Sequence, residues 1–78
     1  MNLNERLQQL REKAGYDNAK AFAQVVGIPY STYATYESGK SEPKAAALIK
    51  IAHALHTSVD NVLDYHVDPF GEAVAIFR

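Results

Sequence analysis

Apolar residues recur at helical spacing along most of the chain. The first such face consists of Leu3, Leu7, Leu10 and Ala14. Intervals of three and four residues place these side chains on one side of a helix. Asn2 and Glu5 have the spacing of an N-cap residue and its partner three positions later, and Gly15 is a usual helix end. The pattern predicts a first helix from about Leu3 to Ala14.

Two short helices are predicted next. The apolar face of the second helix consists of Ala19, Phe22, Ala23 and Val26. Asp17 or Asn18 would cap its first amides, and Gly27 would close it. The third helix runs from Tyr30 to Ser38, after a proline whose fixed φ suits a first turn, and it ends at Gly39.

Two further helices complete the pattern. Glu42-Pro43 is predicted to open the fourth, whose apolar face consists of Leu48, Ile51, Ala52 and Leu55. Ser58 is a good N-cap for a last short helix that carries Val59, Val62 and Leu63. Short turns join all five helices. The expected fold is therefore an all-α five-helix bundle over residues 1–65.

The remaining segment, residues 66–78, reads HVDPFGEAVAIFR and has no single period. Val74 and Ile76 alternate as in a strand, whereas Phe70, Val74 and Phe77 also fit a helix, so both remain open. These four side chains are too hydrophobic to stay exposed on a monomer. They are expected to fold back on the core, to form a dimer contact, or to dock a different protein.

Composition limits the class of protein. The chain of 78 residues has room for one domain, and without cysteine it has neither disulfides nor a thiolate metal site. It has no apolar run of membrane-spanning length and no signal-peptide pattern, so we expect a soluble, cytoplasmic protein. The net charge is only −1, but residues 1–50 hold seven of the eight cationic side chains and five of the nine acidic ones. This asymmetry suggests one face for an anionic partner.

The second and third helices, joined by Gly27-Ile28-Pro29, have the layout of a helix-turn-helix. Tyr33 and Tyr36 are expected to point inward. The exposed set is then Tyr30, Ser31, Thr32 and Thr35. Their hydroxyls can bond to base edges, and a threonine methyl can meet the thymine methyl. From composition alone, these short polar side chains could equally be a solvated helix face.

From Leu10 to Leu63 the sequence resembles the lambda-repressor/Cro-like (XRE-type) helix-turn-helix DNA-binding family. The matching stretches are L10-R11, G15, F22-A23, G27-I28, S31-T32-Y33, Y36-E37-S38-G39-K40, L48, I51-A52, L55, S58-V59-D60 and L63. This covers about two thirds of the chain. The resemblance implies that the third helix enters the major groove of DNA.

The resemblance also implies roles for individual residues. The predicted base contacts are Tyr30, Ser31, Thr32 and Thr35, and the predicted backbone contacts after that helix are Lys40, Ser41 and Lys44. Arg11 and Glu37 match a structural ion pair between the first and third helices. One departure is Ala19, where many members have a phosphate-binding glutamine. Asn18 and Lys20 are expected to supply that backbone contact instead.

Other chemistry has little support. His53 and His56 lack a matched third ligand, so no metal site is expected, and no catalytic motif or cofactor site is present. The sequence predicts a DNA-binding transcriptional regulator, a repressor rather than an enzyme, that acts as a homodimer on half-sites about 34 Å apart. The alternative is an antitoxin or other interaction module that binds a protein partner through residues 66–78.

Overall fold

The computed structural model describes residues 2–67 and 73–75. The elements in chain order are α1 (Leu3–Lys13), α2 (Ala19–Val26), α3 (Tyr30–Ser38), α4 (Ala45–Ala54), α5 (Val59–Leu63), β1 (Tyr65–Val67) and β2 (Ala73–Ala75). The five helices confirm the predicted all-α bundle. A pair of short strands follows it.

Three helices begin where local capping signals place them. The side-chain oxygens of Asn2, Asn18 and Ser58 accept hydrogen bonds from the first free amides of α1, α2 and α5. Such caps satisfy donors that have no partner inside the helix. By contrast, α3 and α4 have no side-chain cap.

The predicted opening of the fourth helix at Glu42-Pro43 is wrong, because α4 begins at Ala45. Lys44 is still extended, with ψ 173°, and its carbonyl accepts the first helical bond from Leu48. Pro43 is buried and lines a cleft together with Leu3 and Tyr36. This tertiary position makes the proline part of the α3–α4 loop rather than of the first helical turn.

The core lies where α1, α2 and α3 meet α4 and α5. Its largest fully buried side chains are Tyr33, Phe22, Leu7, Ile51 and Val62. Phe22 packs on Tyr33 with ring centroids 5.5 Å apart in an edge-to-face arrangement, and Tyr33 packs on Tyr36 at 6.2 Å. Tyr33 is completely buried and Tyr36 is half-buried. The inward side of α3 is thus fixed by aromatic packing.

The two strands pair antiparallel, with Tyr65 opposite Ala75, His66 opposite Val74 and Val67 opposite Ala73. Residues 65–67 and 73–75 therefore form paired strands. For the segment 66–78, the sequence pattern was compatible with either a helix or a strand. Phe70, Ile76 and Phe77 lie outside the described residues, and Val74 is described only by its place in β2. The division into a domain of residues 1–65 and a tail of 66–78 stays a prediction. No helix within the described ranges is long and apolar enough to cross a membrane.

Candidate nucleic-acid interface

The turn between α2 and α3 sets the direction of α3. Gly27 has φ 85°, a left-handed conformation that glycine adopts at little cost. The amides of Gly27 and Ile28 both donate to the carbonyl of Ala23, at 2.9 and 3.1 Å. Ile28 is buried beneath the turn. The carbonyl of Pro29 then accepts from the amides of Thr32 and Tyr33 and starts α3.

The two sides of α3 have different environments. Tyr33 and Glu37 are buried, one turn apart on the inward side. On the outward side, Tyr30 is 49% exposed, and Ser31 and Thr32 are also exposed. The N-terminal turn of α3 therefore presents a phenol and two hydroxyls to solvent, with no side chain bonded to its first amides.

A buried ion pair holds α3 against α1. Arg11 Nε donates to Glu37 Oε2 at 2.8 Å and Arg11 Nη2 to Oε1 at 3.2 Å, and both residues are less than a tenth exposed. Arg11 Nη1 also donates to the carbonyl of Tyr16 at 2.7 Å. The hydrogen bond to Glu37 raises the pKa of Arg11 above its ordinary value, although burial opposes the shift. Loss of one partner from such a pair costs about 3–5 kcal/mol because the other charge stays buried.

A second polar contact supports the same end of α3. Gln8 Nε2 donates to the carbonyl of Glu37 at 3.0 Å. Gln8 lies three residues before Arg11, so both side chains reach α3 from one face of α1. Sequence reasoning missed Gln8; its spacing from Arg11 was the available signal.

Burial of Tyr33 raises the pKa of its phenol above the ordinary value of 10, and the neighbouring carboxylate of Glu37 adds to the shift. The Tyr33 hydroxyl has no hydrogen-bond partner in the part of the chain that the structure describes. A buried hydroxyl without a partner lowers stability.

Thr35 was predicted to contact bases, but its hydroxyl is engaged within the protein. Thr35 Oγ1 donates to the carbonyl of Thr32 at 2.6 Å and is also hydrogen-bonded to Ser41 Oγ. The residue is half-buried. As placed, this hydroxyl has no free proton for a base edge; the Thr35 methyl is unaffected by these bonds.

An open groove lies between α3 and α4 beside the α3–α4 loop. We call it the α3–α4 groove; its lining residues are Ile28, Thr32, Tyr36, Ser41, Glu42, Lys44, Ala46, Ala47 and Lys50. Lys44 and Lys50 bring positive charge to it, and Glu42 brings one negative charge. The structure thus groups Thr32 with two predicted backbone contacts, Ser41 and Lys44, and adds Lys50, which sequence reasoning missed. Lys40 is exposed in the adjoining loop.

Residues at the start of α2 also occupy defined positions. Asn18 Oδ1 accepts from the amides of Lys20 and Ala21 at 2.8 and 3.1 Å. That oxygen is therefore committed to the cap, whereas the Asn18 amide nitrogen remains a donor. The side chain of Lys20 is exposed.

The histidines lie apart from these features. His53 and His56 are both exposed on or after α4. Among the residues that are described, no group of three or more histidine, aspartate or glutamate side chains could hold a metal ion.

Comparison with known proteins identifies the family. A family model described as helix-turn-helix matches residues 7–62. The HTH-type transcriptional regulator AnsR of Bacillus subtilis (strain 168) is 41% identical over 63 residues, which are 81% of this chain and 53% of AnsR. The cryptic phage CTXphi transcriptional repressor RstR of Vibrio cholerae (serotype O1, El Tor Inaba N16961) is 37% identical over 62 residues, 80% of this chain and 54% of RstR. The chain spans about half the length of these curated relatives.

Solved structures show the same arrangement. The DNA-binding domain of the P22 c2 repressor, determined by nuclear magnetic resonance, superposes with a TM-score of 0.72 at 25% identity over 81% of this chain and 82% of that one. The crystal structure of the P22 c2 repressor in complex with synthetic operator 9T gives a TM-score of 0.68 at 26% identity, over 80% and 92% of the two chains. The resemblance inferred from the sequence is confirmed. The chain belongs to the lambda-repressor/Cro-like (XRE-type) helix-turn-helix family of DNA-binding regulators.

Proposed function

We propose that this protein is a sequence-specific DNA-binding transcriptional regulator, a repressor, that inserts α3 into the major groove. The observation that carries the proposal is the exposed N-terminal turn of α3, with Tyr30, Ser31 and Thr32 outward while Tyr33 and Glu37 hold its other side in the core. A major groove about 12 Å wide admits a helix presented in this way. The relatives named as regulators and the structure of the P22 c2 repressor in complex with a synthetic operator support the same function.

Base reading is assigned to the N-terminal turn of α3. A serine or threonine hydroxyl both donates and accepts, so Ser31 and Thr32 can pair with several base edges. Tyr30 adds a ring edge and a phenol at the tip of the helix. Such contacts carry the sequence preference.

Backbone binding is assigned to the surface around the α3–α4 groove. Lys44 and Lys50 line this groove, and Lys40 lies in the adjoining loop. The uncapped first turn of α4 adds amides that attract phosphate. Asn18 and Lys20, at the start of α2, would contact the DNA backbone. Ser41, in the α3–α4 loop, would also lie beside the DNA backbone. These contacts position α3 without sequence information.

Selection of bound fragments from a random pool of double-stranded DNA tests the proposal. We expect one enriched motif for the wild type and an altered motif for Ser31→Ala, because a base-reading hydroxyl is lost. Lys44→Ala is expected to keep the motif and to weaken binding to all sequences alike. Lys13→Ala is the matched control, because Lys13 lines a different groove with His56 and Thr57.

A pool that yields no enriched sequence would contradict the proposed function and would leave a protein-interaction module as the function to test. A motif that is identical in the wild type and in Ser31→Ala would retain DNA binding but remove Ser31 as a reader.

The proposal includes a two-fold dimer and a cytoplasmic location. One short helix contacts few base pairs, and a dimer doubles the sequence that is read. The apolar side chains of residues 66–78 would supply the dimer contact. The competing role for the same residues is to dock a protein partner.

A further inference from the structure

The hydroxyl of Thr35 takes part in a hydrogen-bond chain whose protons can be assigned. A carbonyl oxygen only accepts, so Thr35 must donate its single proton to the Thr32 carbonyl, 2.6 Å away. With that proton used, the second bond requires Ser41 to donate and Thr35 to accept. The hydroxyl protons of Thr35 and Ser41 are therefore both used in hydrogen bonds within the protein.

A backbone bond runs beside this chain. The amide of Ser41 donates to the carbonyl of Thr35 at 3.2 Å. Between the two residues the chain reverses at Gly39, which has φ 81°. Thr35 thus holds Ser41 by its side chain and by its main chain, and Ser41 is one of the loop residues that line the α3–α4 groove.

We propose that Thr35 is a positioning residue, which fixes the loop carrying Lys40 and Ser41 against α3 and does not read bases through its hydroxyl. The proposal rests on the proposed function, because the loop is positioned for contact with the DNA backbone. Sequence reading is then confined to Tyr30, Ser31 and Thr32. The Ser41 hydroxyl likewise has no proton to donate to a phosphate, so the loop binds through Lys40, Lys44 and main-chain amides.

A locked loop binds phosphates without an ordering cost, whereas a free loop must be ordered on binding. Loss of the Thr35 hydroxyl therefore weakens binding to every sequence by the same factor. For hydrogen bonds that water can reach, the expected factor is about threefold to tenfold.

Three variants separate the hydroxyl from the methyl group. Thr35→Val keeps the methyl and the β-branched shape but removes the hydroxyl, whereas Thr35→Ser keeps the hydroxyl and removes the methyl. Ser41→Ala removes the other end of the chain. We expect Thr35→Val and Ser41→Ala to lower affinity alike and to retain the selected motif, while Thr35→Ser matches the wild type. The double variant Thr35→Val/Ser41→Ala should bind DNA no more weakly than either single variant, since both substitutions break the same hydrogen bond.

The opposite pattern would overturn the proposal. If Thr35 reads a thymine methyl, Thr35→Ser changes the selected motif and Thr35→Val preserves both motif and affinity.

A second measurement needs no DNA. Amide hydrogen exchange and backbone order parameters of the free protein report on residues 39–42. We expect faster exchange of the Ser41 amide and lower order in Thr35→Val and Ser41→Ala, with no change in Thr35→Ser. An unchanged exchange rate of the Ser41 amide in Thr35→Val would show that the Thr35 hydroxyl does not fix the loop, even if DNA binding were normal. If the wild type bound no DNA, the proposed function would fail, whereas this measurement would still decide whether the loop is locked.

Discussion

Arg11, Glu37 and Tyr33 meet beneath the C-terminal half of α3, and their polar atoms are unequally satisfied. Arg11 and Glu37 bond to each other through two atoms each, but the Tyr33 hydroxyl has no partner in the described residues. Tyr33 is nevertheless the largest fully buried side chain. Its ring is packed between Phe22 and Tyr36, so the residue contributes through its aromatic area rather than through its hydroxyl.

Tyr33→Phe is therefore expected to leave stability unchanged at neutral pH or to raise it by about 1 kcal/mol. The difference should widen in alkali. The folded-state pKa of Tyr33 lies above the unfolded value near 10, so its contribution to stability is complete below pH 10 and falls as the pH rises further. Phenylalanine removes this loss, which reaches about 1.4 kcal/mol per pH unit. Urea unfolding at pH 7 and at about pH 11 measures the effect.

Tyr30→Phe is the matched control, because Tyr30 is exposed at the other end of α3. The comparison separates the loss of a buried hydroxyl from the loss of an exposed one. Equal differences for Tyr33→Phe at neutral and alkaline pH would show that the buried phenol does not govern the alkaline stability.

The element that shapes the backbone-binding surface is the loop between α3 and α4. It begins at Gly39, which closes α3, and it ends at the extended residue Lys44. Glu42 is exposed in this loop and lines the α3–α4 groove near Lys44 and Lys50. It forms no salt bridge in the described part of the chain. A free carboxylate at this position opposes an approaching phosphate.

Glu42→Gln is expected to strengthen DNA binding about two- to threefold at low salt, equally for all sequences. The gain should shrink at high salt because the groove is open to solvent. Binding titrations across salt concentration measure both effects. Asp60→Asn controls for net charge, since Asp60 lies on α5 away from the groove. Equal gains from both variants would mean that overall charge, not the position of Glu42, sets the affinity.

Local signals in the sequence were sufficient to predict most of the fold. Asn2, Asn18 and Ser58 marked helix starts because each cap acts within three residues of its own position. Helical periodicity likewise separated buried Tyr33 from exposed Ser31. The start of α4 was missed because the position of Pro43 depends on tertiary packing: Pro43 is buried and lines a cleft with Leu3, which is distant in the sequence.

The site was predictable only in outline for a similar reason. The face of α3 follows from its spacing, but the Thr35–Ser41 bond crosses a chain reversal that no periodic pattern describes. The contact of Gln8 with Glu37 joins residues 29 positions apart. Such links depend on how the helices dock and not on the propensity of either segment.

The proposed dimer can be tested by measuring the molar mass of the protein in solution. Sedimentation equilibrium should show a concentration-dependent dimer for the full chain and a monomer for a chain lacking residues 66–78. Val74→Asp keeps the full length, places a charge in β2, and should also give a monomer. Circular dichroism of each variant checks that the five helices remain.

If the protein binds DNA as a two-fold dimer, the selected DNA motif should also be two-fold symmetric. Two inverted half-sites are expected, centred about one helical turn (~34 Å) apart, because two copies of α3 related by a two-fold axis enter successive major grooves on one side of the duplex. A monomeric full chain that selects a single half-site would contradict the dimer. A dimer that persists in both variants would place the contact outside residues 66–78 and would leave these residues available for a protein partner.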